Sequence, residues 1–125
     1  MSIPTSEIAQ EFTALCQNGK MEEAGEKYWA DNVVSLEPMD GEMARMEGKN
    51  AVKAKSDWWF GAHEVHRVDV GEPRINGDQF MVQFDMDVTN KESGERIQMQ
   101  EEGLYTVADG KIVEERFFFG GLPQE

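Results

Sequence analysis

Glu101 is the residue whose setting most directly implies chemistry. From Phe80 to Val88 the even positions Phe80, Val82, Phe84, Met86 and Val88 alternate with Met81, Gln83, Asp85 and Asp87, the pattern of a strand with its even face inside. In the following strand the odd positions carry Ile97, Met99, Glu101, Gly103, Tyr105 and Val107, while Arg96, Gln98, Gln100 and Glu102 point the other way. Glu101 therefore falls in the middle of an apolar face. There, desolvation raises the carboxyl pKa and leaves a group that can donate or shuttle a proton near neutral pH. A place near the strand end, or beside a bulge that reverses the parity, would instead leave an ordinary solvated acid, and the pattern alone is compatible with both. Gly103 on the same face removes a side chain, which in a strand marks a bulge, a bend or room for something bound against the sheet.

The two histidines, His63 and His66, are one residue short of the zinc-helix spacing. On a strand, residues three apart face opposite sides, so no shared metal is expected and at most one imidazole faces a pocket. Neither has a matched carboxylate partner in sequence, so a surface or rim position is the ordinary reading and a catalytic one the sharper alternative. The chain has no glycine-rich phosphate loop, no nucleophile elbow and no cysteine-based metal site. Neither a metal nor a cofactor is expected.

The elements that must position these groups are legible in turn. Pro4 precedes Thr5 and Ser6, which can cap a helix whose apolar stripe is Ile8, Phe12, Leu15 and Cys16 and which Gly19 ends. A second helix over about 20–30 turns Met21, Ala24 and Tyr28 to one side. Val33 to Leu36 reads as a short strand running into Glu37-Pro38, where proline keeps the residue before it extended. Met39 to Gly48 reads as an irregular loop. Asn50 is placed to cap a third helix through Phe60, with Ala51, Ala54 and Trp58 on one face, Val52 and Trp59 on the adjoining one, and Gly61 at its end. Strands follow over about 63–72, 79–89, 95–107 and 111–119, separated by Asn76-Gly77-Asp78, by Lys91-Glu92-Ser93-Gly94 and by Asp109-Gly110. Helices first and an antiparallel meander second give an α+β domain with helices packed on one face of a curved sheet.

The 125 residues, 39% hydrophobic, are enough for one domain spanning the chain and not for two. The net charge of −13 opposes nucleic acid or an anionic membrane surface as a partner. Cys16 is the single cysteine, and no apolar run near Met1 resembles a signal peptide or membrane span, which sets cytoplasmic as the expected location. The last strand ends Arg116-Phe117-Phe118-Phe119-Gly120, so both its faces become apolar. Cover by helices and by the C-terminal tail is one explanation; an isologous sheet-to-sheet homodimer is the preferred one.

Phe12-Thr-Ala-Leu-Cys-Gln-Asn-Gly19 with the helix after it, Ala30-Asp-Asn-Val-Val-Ser-Leu-Glu-Pro38, Gly48-Lys-Asn-Ala-Val52 and Gly110-Lys-Ile-Val-Glu-Glu-Arg-Phe-Phe-Phe-Gly120 occur in the order and spacing of one superfamily. Nearly the whole chain resembles the nuclear-transport-factor-2-like (NTF2-like) superfamily, in its SnoaL-like and ketosteroid-isomerase-like branch. That resemblance implies a cone-shaped curved antiparallel sheet with three N-terminal helices on its concave face. In ketosteroid isomerases, which have served as a standard example of tuned carboxyl groups, the base is an acid directly before a proline. Glu37 matches it, which makes Glu37 the candidate base and Glu101 the candidate acid. The oxyanion donors of that enzyme fall on Phe12 and Gly103, neither of which has a side-chain donor, so steroid isomerisation as such is not expected. Glu101 or Tyr28 is the candidate substitute donor. Trp58 and Trp59 lie where the cone of this fold opens, and Phe12, Tyr28, His63, Phe84, Met99, Gly103, Tyr105 and Phe117 complete the expected pocket lining. Two functions are compatible with this: a cofactor-independent isomerase, cyclase or hydratase acting on a small apolar molecule, or a non-catalytic ligand-binding or dimeric assembly module.

Overall fold

A computed structural model describes residues 4–38 and 41–118. Three helices lie among them, α1 (Thr5–Gln17), α2 (Met21–Tyr28) and α3 (Lys49–Ala62), with strands β1 (Trp29–Leu36), β2 (Arg45–Glu47), β3 (His63–Val70), β4 (Arg74–Asn76), β5 (Gln79–Asn90), β6 (Arg96–Ala108) and β7 (Lys111–Phe118). The architecture is the expected α+β one, helices against a curved, unclosed sheet.

The sheet order is β2-β1-β7-β6-β5-β3, with β4 on β5. β3, β5, β6 and β7 pair antiparallel, as a meander requires, but β1 lies parallel to β7, so the sheet is mixed rather than wholly antiparallel. The reason is topological. Two helices lead into β1, which enters the sheet between β2 and the last strand, β7. The stretch 41–48 is more ordered than a loop, because a 3₁₀ turn (Glu42–Ala44) feeds β2 back along β1.

The helix ends differ in detail from expectation. Pro4 holds the N-cap position of α1 and its carbonyl accepts from the amides of Glu7 and Ile8, so neither Thr5 nor Ser6 caps with its side chain. α3 begins one residue before Asn50, with Gly48 at its N-cap. Gly19 does end α1: its φ of 76° lets Lys20 N–H reach Leu15 O and Gly19 N–H reach Cys16 O, the Schellman arrangement. Asp109 and Gly110, with φ of 53° and 78°, make the tight β6–β7 turn.

The core lies between α1 and α2 and the concave face of the sheet. Ile8, Phe12 and Cys16 of α1 and Ala24 and Tyr28 of α2 meet the even face of β5, all five of whose apolar residues are buried. Each large side chain so buried contributes about 1.5–3 kcal/mol. α3 is held differently, with Val52 its single buried residue. Its inner face is Val52, Lys55, Ser56 and Trp59, and Ala54 is exposed, so of the two faces read from the sequence the one with Val52 and Trp59 packs inward. No helix among the described residues is long and apolar enough to cross a membrane. Phe119 and the start of the expected loop at Met39 lie outside the described residues.

Candidate functional site

Between α3 and the sheet the cone encloses a cavity of about 580 Å³, within the range of small-molecule sites. Its walls are mainly aromatic and sulfur-bearing, and its polar groups converge from α3 and from several strands.

On one wall the polar groups are joined to each other. Val33, Ser35 and Glu37 follow one another on the inner face of β1. Parallel pairing sets Ser35 beside Glu115 of β7. The Ser35 hydroxyl donates to Glu115 Oε2 at 2.8 Å and Trp29 Nε1–H donates to Oε1 at 3.0 Å. The indole of Trp29 fits because Gly25 faces it: a Cβ at residue 25 would lie 2.6 Å from the ring. Lys55 Nζ donates to Ser35 Oγ and to Glu37 Oε2, each at 2.7 Å. The Lys55 and Glu37 side chains are only 11% and 14% exposed, so the ion pair is close to a buried one and depends on good geometry to offset desolvation. Burial raises the Glu115 carboxyl, the negative charge of Glu37 adds to that, and the Ser35 and Trp29 hydrogen bonds with nearby Lys55 oppose it.

The facing wall is different. Glu101 of β6, paired with Phe84 of β5, projects into the cavity with no hydrogen bond to a described residue. Burial pushes its carboxyl up to about 8, the charges of Glu37 and Glu115 push the same way, and Lys55 pulls against them. Glu101 is therefore mainly protonated at neutral pH. Tyr105, two pleats along, is 2% exposed, and burial followed by the negative charge of Glu115 raises its phenol well above the ordinary value. Both groups are neutral donors.

At the mouth, Trp59 and His63 stack with centroids 4.4 Å apart, and Trp58 lines the rim while 55% exposed. His63 Nδ1 lies 2.9 Å from Trp59 O. A carbonyl only accepts, so Nδ1 carries the proton and Nε2 is the open position. His66 points away and bonds Thr89 Oγ1 at 2.7 Å. One of the two histidines thus faces the cavity.

Of the residues singled out from sequence, Glu37, Glu101, Trp58, Trp59, His63 and Tyr105 line this cavity, and Phe12, Phe84, Met99 and Phe117 supply apolar wall. Tyr28 and Gly103 do not. The Tyr28 hydroxyl donates to Glu11 on the far side of α1, which removes it as a substitute donor. Gly103 makes no room for a ligand, because the Tyr105 ring folds back over it: a Cβ there would lie 2.9 Å from Tyr105 Oη. Trp29, Ser35, Lys55 and Glu115 were missed. Ser35 could have been found from its spacing with Glu37. Glu115 could not, since a regular hairpin from Asp109-Gly110 puts Glu114 opposite Tyr105. An irregularity between Val107 and Thr106 in the β6–β7 pairing inserts one residue, and Tyr105 pairs with Glu115 instead. Among the described residues no group of three or more His, Cys, Asp or Glu side chains is arranged to hold a metal ion.

The SnoaL-like domain family matches residues 3–119. The chain is similar to a solved Mesorhizobium loti protein provisionally described as a SnoaL-like polyketide cyclase, with carbohydrate phosphatase in brackets; identity is 50% over 94% of this chain and 100% of that one, with a TM-score of 0.91. A Bacillus subtilis protein provisionally described as an isomerase shares 20% identity over 94% and 90% of the two chains, with a TM-score of 0.71. An NTF2-like protein of unknown function from Burkholderia pseudomallei shares 16% over 92% and 89%, also at 0.71. No curated protein matches the chain.

Proposed function

The chain belongs to the SnoaL-like domain family of the NTF2-like superfamily, and from that premise we propose that it binds a small, largely apolar molecule in the cone and acts on it by proton transfer without a cofactor. The observation that carries this reading is Glu101, a carboxyl raised to about 8 in an apolar cavity that also contains an ionised carboxylate partner pair. A carboxyl poised near neutral pH costs the fold stability unless a ligand uses it. The polyketide cyclase description of the Mesorhizobium loti protein supports the same class of chemistry.

Glu37 is the base in this reading. Lys55 holds its Oε2, and Oε1 makes no hydrogen bond to a described residue. Oε1 takes a proton from a carbon beside a carbonyl; the C–H electron pair becomes the enol double bond, and the carbonyl oxygen takes the Glu101 proton. Reversal at another carbon gives isomerisation, attack of the enol carbon on a second carbonyl gives cyclisation, and addition of water to a conjugated alkene gives hydration. Because Phe12 and Gly103 occupy the oxyanion positions of a standard ketosteroid isomerase, this is not that enzyme's site with another substrate.

The test is deuterium exchange at the α-carbon of 2-tetralone in D₂O, followed by mass spectrometry. Exchange well above the buffer rate is expected, reduced about 100-fold or more in Glu37→Gln, the usual scale for a general base. Equal rates for the two proteins would remove the acid–base reading.

One observation favours a second reading, an assembly module. Phe118 is 41% exposed on the outer face of β7, diagonal to half-buried Leu104. A homodimer through the sheet would cover it, and light scattering on Phe118→Glu against the parent protein would decide the point.

A further inference from the structure

Tyr105 carries the strongest unassigned feature of the cavity. Its ring is fixed by three aromatics: it stacks on Phe80 at 5.0 Å, tilts against Phe12 at 4.8 Å and meets Phe117 edge-on at 6.3 Å. So held, the side chain folds back over Gly103, toward the Glu101 end of the strand. Among the described residues Thr13 Oγ1 is the one side-chain polar atom both sealed from solvent and without a partner. The Tyr105 hydroxyl makes no hydrogen bond to a described residue, and the residue lines the cavity. A buried tyrosine hydroxyl ordinarily has a partner.

We propose that the Tyr105 hydroxyl is the hydrogen-bond donor that receives a ligand's carbonyl oxygen, and that the cavity selects neutral, flat ketones and enones over carboxylates of the same shape. The charge pattern supports the selection. Lys55 is the one lysine or arginine among the described lining residues, and Glu37 already neutralises it at 2.7 Å. A carboxylate would meet Glu37 and Glu115 with no free cation. A carbonyl meets two neutral donors on one strand, Tyr105 and Glu101, since burial keeps the phenol protonated throughout the working pH range. The stacked Trp59 and His63 rings at the mouth favour a flat molecule. The chemical role of the bound carbonyl rests on the acid–base reading; its recognition does not.

The test is binding of 2-acetylnaphthalene, of its carbonyl-free isostere 2-isopropenylnaphthalene and of 2-naphthoate, read by quenching of tryptophan fluorescence. The ketone is expected to bind about threefold to tenfold tighter than the alkene, the span of one net hydrogen bond, with naphthoate weakest. In Tyr105→Phe, which keeps the ring and leaves Glu101 in place, the ketone's advantage shrinks while alkene affinity holds, and the infrared carbonyl stretch of the bound ketone shifts to higher wavenumber. A ketone preference undiminished in Tyr105→Phe overturns the proposal. So does equal loss of both neutral ligands, which marks a packing role, and so does a parent protein that shows no ketone preference. An absent deuterium exchange with the ketone preference intact would count against the acid–base reading alone.

Discussion

The two walls of the cavity treat their polar groups in opposite ways. On the β1–β7 wall, Trp29, Glu115, Ser35, Lys55 and Glu37 form one continuous chain of hydrogen bonds. On the β6 wall, Glu101 and Tyr105 make none with a described residue. The first wall is finished by the fold, and its charges hold one another in place. The second leaves its donors facing the cavity. Burial alone therefore does not decide the role: Glu115 is the more enclosed acid, yet its oxygens are taken by Ser35 and Trp29, whereas Glu101 has no such partners among the described residues.

Breaking the joined wall carries the largest expected effect. Lys55→Met leaves Glu37 and Ser35 without their shared donor, and loss of one partner from a nearly buried pair costs about 3–5 kcal/mol. Urea unfolding at pH 7 measures it, and a loss below about 1 kcal/mol would place the pair among ordinary surface ion pairs.

The open wall responds in the other direction. The folded-state pKa of Glu101, about 8, lies above its value of 4.5 in an unfolded chain. Between those values the folded state holds more protons, so the contribution of Glu101 to stability is fully present below pH 4.5, falls as pH rises toward 8, and then levels off. Glu101→Gln removes that slope. At pH 7 it is expected to stabilise the protein by on the order of 3 kcal/mol, read as the difference between unfolding curves at pH 5 and pH 7. A pH-independent effect would show that the carboxyl reaches water.

Gly103→Ala is the smallest of these changes. The new Cβ meets Tyr105 atoms at 2.9–3.0 Å, and the ring cannot swing away freely because Phe12, Phe80 and Phe117 surround it. An overpacking cost of about 1–3 kcal/mol follows, together with a reduced ketone preference. A thermal midpoint unchanged from the parent would mean that the ring is less confined.

The open wall was legible in the sequence and the joined wall was not, for physical reasons. Period-two alternation is a local signal, and it put Phe84, Met99, Glu101 and Tyr105 on one apolar face, leaving open only whether a bulge or a strand end let Glu101 reach water. The meander turns and the three helices were local in the same sense. The joined wall depends on events between distant segments: the parallel entry of β1 beside β7, the extra residue that turns Glu115 inward, and a polar inner face on α3 that carries Lys55. Tyr28 misled because its helix face was right but its hydroxyl reaches over to α1. Gly103 misled because the space it opens is filled by Tyr105, its neighbour on the same strand face.

The difference between the walls is tested most directly by following the glutamate side-chain carboxyl carbons by NMR across pH 3–10, with Glu101→Gln assigning the signal. A Glu101 midpoint near 8 is the predicted result. A midpoint at 4.5, the ordinary glutamate value, would contradict it, and with it the claim that this wall holds a dry, unpaired acid for a ligand to use.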